Sequence, residues 1–143
     1  MAECIVIVQF DLPKRTEEQA IKGGTGTAPT YRNLATKGLI RKDYLNGDAG
    51  TGGVYLWESR EAAEAWFTEA KISELTERFG ARPLLTWYDT HVTVDNVRGE
   101  TRVNRSARSG LISTVVFRCP ALVLPRRSRD FTGRPETSST GRP

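Results

Sequence analysis

Cysteine, histidine and methionine are scarce in this chain: its 143 residues include two cysteines, one histidine and one methionine. With His91 as the lone histidine, and Cys4 and Cys119 far apart in apolar, strand-like settings, no His/Cys cluster offers a zinc site. Isolated thiols of this kind behave as small hydrophobes, and a chain of this length does not need a disulfide. No apolar run approaches the roughly 20 residues of a membrane span. The opening Met1–Phe10 has neither a basic stretch nor a small-residue cleavage site, so it does not read as a signal peptide and a cytoplasmic location is expected.

Lysine is missing from residues 98–143, which divides the chain. The formal charge of +4 is the sum of two unlike parts. Residues 1–97 carry 11 Lys+Arg against 14 Asp+Glu, whereas residues 98–143 carry 10 arginines against 3 acids. Residues 1–97 therefore read as one mildly acidic domain. Residues 98–143 read as an Arg-rich tail, disordered or peripheral, with only Leu111–Leu124 apolar enough to order. An arginine-only end after a regular domain also fits translation in an unintended frame. The tail's basicity raises the question of nucleic acid, but only Phe117 and Phe131 interleave with the arginines, so no stacking platform is indicated.

The domain itself follows a regular order. Cys4–Phe10 is rich in Ile and Val and reads as a central strand, ended by Leu12-Pro13. Thr16 is a suitable N-cap for a helix starting at Glu17. Gly23, Gly24, Gly26 and Pro29 predict an interruption before helix resumes through Tyr31, Leu34 and Ala35, with Gly38 as its cap. Leu39–Asn46 and Gly53–Glu58 form two strands joined by the glycine-rich loop 47–52. Ser59 caps a second helix. There Ala62, Ala63, Trp66, Phe67 and Ala70 share one face, and Ile72, Leu75 and Phe79 fall on roughly the opposite one, which predicts a break near Thr68–Lys71. Gly80 ends it, and Arg82–Val94 is the last strand. The order β-α-β-β-α-β is the ferredoxin-like α+β arrangement, an antiparallel sheet with both helices on one face. Its uncovered face calls for a partner, most simply a second copy of the same sheet.

Four stretches carry a family resemblance: Phe10-Asp11-Leu12-Pro13 after the first strand, Gly38-Leu39-Ile40-Arg41-Lys42, the block Gly52-Gly53-Val54-Tyr55-Leu56-Trp57-Glu58-Ser59, and Trp87-Tyr88-Asp89-Thr90. In this order and spacing, residues 3–95 resemble the YdhR-type proteins of the dimeric α/β-barrel superfamily, similar in fold to the antibiotic biosynthesis monooxygenases. The resemblance implies a homodimer joined through its sheet faces. It also implies a cofactor-independent monooxygenase acting on a small aromatic or quinone-like substrate, held between sheet and helices. Trp57 matches the tryptophan those enzymes carry late in the third strand. Trp66 stands where many of them have a histidine, a departure that leaves any histidine-dependent step without its residue. For the YdhR-type group the activity is itself inferred from fold, and fold does not fix function. A non-catalytic small-molecule-binding or stress-related homodimer is the alternative.

Alternation places Tyr55 and Trp57 on one strand face, and Trp87, Asp89 and His91 on one face of the last strand. Facing the helices, Tyr55, Trp57, Trp66 and Trp87 would form an aromatic substrate pocket, with His91 and Asp89 as candidate proton acceptors because imidazole exchanges protons near neutral pH. The same tryptophans equally fit ordinary core packing, and Asp89 equally fits a cross-strand contact with Arg41 or Lys42. The run Gly23-Gly24-Thr25-Gly26-Thr27 lacks the closing Gly-Lys-Ser/Thr of a phosphate loop and reads as a helix break.

Overall fold

The computed structural model describes residues 2–106 and 115–118. Its first strand, β1 (Glu3–Phe10), turns Cys4, Val6, Val8 and Phe10 toward the helices, where all four are buried, and Ile5, Ile7 and Gln9 toward the other face. Strands β2 (Leu39–Gly47), β3 (Gly50–Trp57) and β4 (Leu84–Thr90) complete a four-stranded sheet of order β2-β3-β1-β4, antiparallel throughout. With helices α1 (Glu17–Asn33), α2 (Arg60–Trp66) and α3 (Glu69–Phe79) between the strands, this is the expected α+β order, the second helical segment being split in two. The β2–β3 turn is tighter than composition implied, with only Asp48 and Ala49 between the strands.

Helix α1 corrects the expectation of an interruption at Gly23–Pro29: it runs unbroken from Glu17 to Asn33. Several local features offset the poor helix formers. A full capping box joins Thr16 and Gln19, Glu17 and Glu18 face the positive end of the helix dipole, and Arg32 sits in its last turn. Inside, the hydroxyls of Thr25 and Thr27 donate to the Ile21 and Gly23 carbonyls at 2.7 and 3.1 Å. Pro29 forfeits one helical hydrogen bond, on an exposed stretch of the helix where water can take its place.

The break in the second helical segment is present at the expected residues. Phe67 leaves helical geometry and Thr68 caps α3 by accepting from the Lys71 amide. The break lets both apolar faces reach one core, because Phe67 turns inward, edge-on to Tyr55, Trp57 and Trp87 at 5.1, 6.1 and 6.0 Å between centroids. Phe79 at the end of α3 meets Phe10 at 4.7 Å.

The last strand does not run through to Val94. It breaks at His91, and β5 (Val92–Asp95) pairs in a separate three-stranded sheet with β6 (Glu100–Val103), which in turn pairs with β7 (Val115–Arg118). Part of the Arg-rich tail is thus strand. Arg102 of β6 also reaches back to Glu3 of β1, 3.1 Å away and buried. The expectation of disorder for the rest of the tail falls on residues 107–114 and 119–143, which, like Cys119, lie outside the described residues. Among the described residues no helix is long and apolar enough to cross a membrane.

Candidate functional site

A one-residue irregularity in β2 shapes the site. Leu39 pairs with Trp57 on the helix side of the sheet, and strict alternation would then bring Arg41 to that side. A bulge between Leu39 and Arg41 shifts the register, so that Arg41 pairs with Leu56 and Lys42 pairs with Tyr55. Lys42 and Tyr44 therefore face α1, whereas Arg41 turns away and pairs with Asp43 at 2.8 Å.

The Lys42 side chain enters a nest of tyrosines. Its ammonium nitrogen lies 3.3 Å from the ring centroid of Tyr31 on α1, 4.0 Å from that of Tyr44 and 4.7 Å from that of Tyr55. The rings brace one another, Tyr31 standing edge-on to Tyr44 and Tyr55 at 6.1 and 5.7 Å. The Tyr44 hydroxyl is 2.7 Å from that of Thr27, and Tyr55 donates weakly to the Tyr31 hydroxyl at 3.4 Å. One glycine makes room for this arrangement and another touches it. A side chain at Gly24 would meet the Tyr44 ring at 3.5 Å, and one at Gly53 would press on Lys42 and Tyr55 at 3.0 Å.

Electrostatically, Lys42 is strongly perturbed. Burial, and then the positive charge of Arg78, bring it down to about 7, against the attraction of the ring faces for an ammonium group. Burial pushes the Tyr55 and Tyr44 hydroxyls the other way, far up in the case of Tyr55. Near neutral pH, Lys42 can therefore take up or release a proton while the tyrosines stay protonated.

Lys42 opens on a cavity of about 310 Å³ between the sheet and α1 and α3. Phe10, Tyr31, Tyr44, Tyr55 and Phe79 give it aromatic walls, Arg15 and Arg78 join Lys42 as its charged groups, and among the described residues no acidic side chain lines it. The Arg15 backbone is held in place by Asn46, whose side-chain oxygen accepts from the Arg15 amide at 2.8 Å while its amide donates to the Arg15 carbonyl at 2.9 Å.

Of the six residues singled out from sequence, Tyr55 alone lines this cavity. Trp57 is fully buried core, its indole nitrogen without a hydrogen-bond partner among the described residues. Trp87 packs on Phe67 and carries Arg60 5.3 Å above its ring, and Trp66 is half-buried beneath Lys71. Asp89 is half exposed and faces Arg60 at 3.8 Å, in place of the contact with Arg41 or Lys42 considered from sequence. His91 sits at the junction of the two sheets, its Nδ1 3.2 Å from the Asn104 carbonyl oxygen and its own carbonyl accepting from the Asn104 amide at 2.7 Å. Asp89 and His91 are thus separate from the tyrosine nest. Among the described residues no group of His, Cys, Asp and Glu is placed to hold a metal ion.

Neither a protein-family model nor a curated protein matches this chain.

Proposed function

We propose that the cavity beside Lys42 binds a planar aromatic molecule and that the protein oxidises it with molecular oxygen, as a cofactor-independent monooxygenase of quinol- or anthrone-like substrates. The observation that carries this reading is a lysine of lowered basicity held on three tyrosine faces at the wall of an aromatic cavity. A neutral amine can remove an acidic proton from an activated ring CH2 or OH, and the ammonium so formed stays beside the carbanion or phenolate it has produced.

For a ring CH2 the balance closes within substrate and oxygen. Lys42 takes one proton, the carbanion adds O2 to give a peroxide anion, and Lys42 returns the proton. The hydroperoxide then loses water and leaves a ketone, so that one CH2 and one O2 become one C=O and one H2O. The aromatic walls would orient the ring and exclude water, and favourable ring pairs add about 0.5–1.5 kcal/mol each. In this mechanism the base is Lys42, because His91 and Asp89 lie apart from the cavity lining.

The reading extends to assembly. Ile5, Ile7, Val54 and Leu56 occupy the sheet face turned from the helices, beside exposed Tyr88 and Leu84. Covering that face with a second copy buries the same apolar strip on both chains and yields the dimeric barrel.

Oxygen uptake with a panel of anthrones and hydroquinones tests the activity. The expected result is consumption of one O2 per substrate, with no added metal or flavin. Among the described residues the cavity lining holds neither histidine nor carboxylate, which favours a second reading, binding without turnover, that predicts tight ligand binding and no uptake.

A further inference from the structure

The charged groups around the cavity all have one sign. Arg15, Lys42 and Arg78 contribute to its lining, and among the described residues no Asp or Glu does. Among the described residues none of the three has a carboxylate within 4 Å, whereas Arg60, Lys71 and Arg82 on the outside of the same domain face Glu64, Glu74 and Glu69 at 3.0, 2.6 and 3.0 Å. The domain is acidic as a whole, so three unneutralised cations around one cavity are not a by-product of its composition.

Each arginine has its own support. Asn46 fixes the backbone of Arg15, whose guanidinium lies against α1 at Gly23, where an added Cβ would stand 3.2 Å from it. Arg78, in the last turn of α3, lies 5.6 Å from the ring of Phe79, itself a cavity wall. A guanidinium presents paired donors that match a carboxylate. The repulsion between Arg78 and Lys42 would also be relieved by an anion bound between them.

We infer that the ligand of this cavity is an aromatic acid, its ring on the tyrosine and phenylalanine walls and its carboxylate on Arg78 and Arg15. The inference rests on reading the cavity as the binding site, and it narrows the substrate class to aromatic molecules that carry a carboxylate beside the oxidisable ring position. With the carboxylate on the arginines, Lys42 is left to face the acidic proton. A shallow groove across Tyr31 and Tyr44 adds Arg32 to the positive surround, which would draw anions toward the site.

The test compares 1-hydroxy-2-naphthoate with 1-hydroxy-2-naphthamide on the full chain, by titration calorimetry and quenching of tryptophan fluorescence. The acid is expected to bind at least tenfold more tightly than the amide, and the difference should shrink as salt is raised. Arg78→Gln, at an exposed helix position, should remove most of that preference by weakening the acid's binding far more than the amide's; circular dichroism confirms that the variant is folded. Equal affinity for acid and amide, no binding of either, or an unchanged preference in Arg78→Gln would overturn the inference. Because binding needs no turnover, acid-selective binding without oxygen uptake would sink the oxidation and keep the acid. Oxygen uptake on neutral substrates with no preference for the acid would do the reverse.

Discussion

The ammonium of Lys42 stands 3.3 Å from the centre of the Tyr31 ring, joining β2 to α1 through a cation that has no carboxylate near it among the described residues. Holding that charge in a partly buried position has a stability signature. The folded state carries Lys42 at about 7, below its value in an unfolded chain, so between that pH and the ordinary lysine range the unfolded state binds more protons. Stability should therefore rise with pH from about 7 upward. Thermal melts from pH 6 to 9 should show the rise in the wild type and a flatter dependence in Lys42→Met, with the variant the more stable of the two at pH 6.

Glycine substitutions should separate space from propensity. Gly26, inside α1, has nothing within 4 Å of where a Cβ would stand, so Gly26→Ala is expected to stabilise by about 0.5–1 kcal/mol. Gly53→Ala would crowd Lys42 and Tyr55 at 3.0 Å, and should destabilise by about 1–3 kcal/mol while weakening ligand binding. Urea titration of both variants measures the contrast.

Phe67 joins the aromatic core at the break between α2 and α3, touching Tyr55, Trp57 and Trp87. Phe67→Ala should lose about 3–5 kcal/mol in chemical denaturation. Thr68→Ala should lose about 1 kcal/mol, the usual worth of an N-cap.

The ion pair Glu3–Arg102 ties β6 to β1. Removing Arg102 leaves Glu3, 8% exposed, with an unpaired charge. Arg102→Ala should destabilise by about 2 kcal/mol, less than the ~3–5 kcal/mol of a fully buried pair because the arginine side chain is 25% exposed. Truncation after Val97 should cost at least as much, and a truncated chain as stable as the full one would show the pair to be idle.

Much of the fold was legible because its signals are local. Thr16, Ser59 and Thr68 cap the helices they precede, Gly38 and Gly80 follow the segments they end, and the opposed apolar faces around Phe67 required a break. The continuity of α1 was not legible, since its glycines and Pro29 read as breakers, whereas the capping box of Thr16 and Gln19 helps carry the helix through them. The site was hidden for a different reason. A bulge at Ile40 leaves no mark in a single sequence, and without it Lys42 counts from Leu39 onto the wrong face. Of the large aromatics, Trp57 fills the core and Trp66 and Trp87 pack half-buried at its edge, while the smaller polar rings of Tyr31, Tyr44 and Tyr55 line the cavity. The nearest usable signal was the i, i+2 spacing of Lys42 and Tyr44, a lysine and a tyrosine on one face of a strand.

The measurement closest to the central claim is the pH dependence of oxygen consumption at low substrate, in the wild type and in Lys42→Met. With neutral Lys42 as the base, kcat/KM should rise through a single deprotonation at about 7, and Lys42→Met should lose at least a hundredfold in rate while still binding the aromatic ligand. A Lys42→Met protein that consumes oxygen at the wild-type rate, with the wild-type pH profile, would contradict the account.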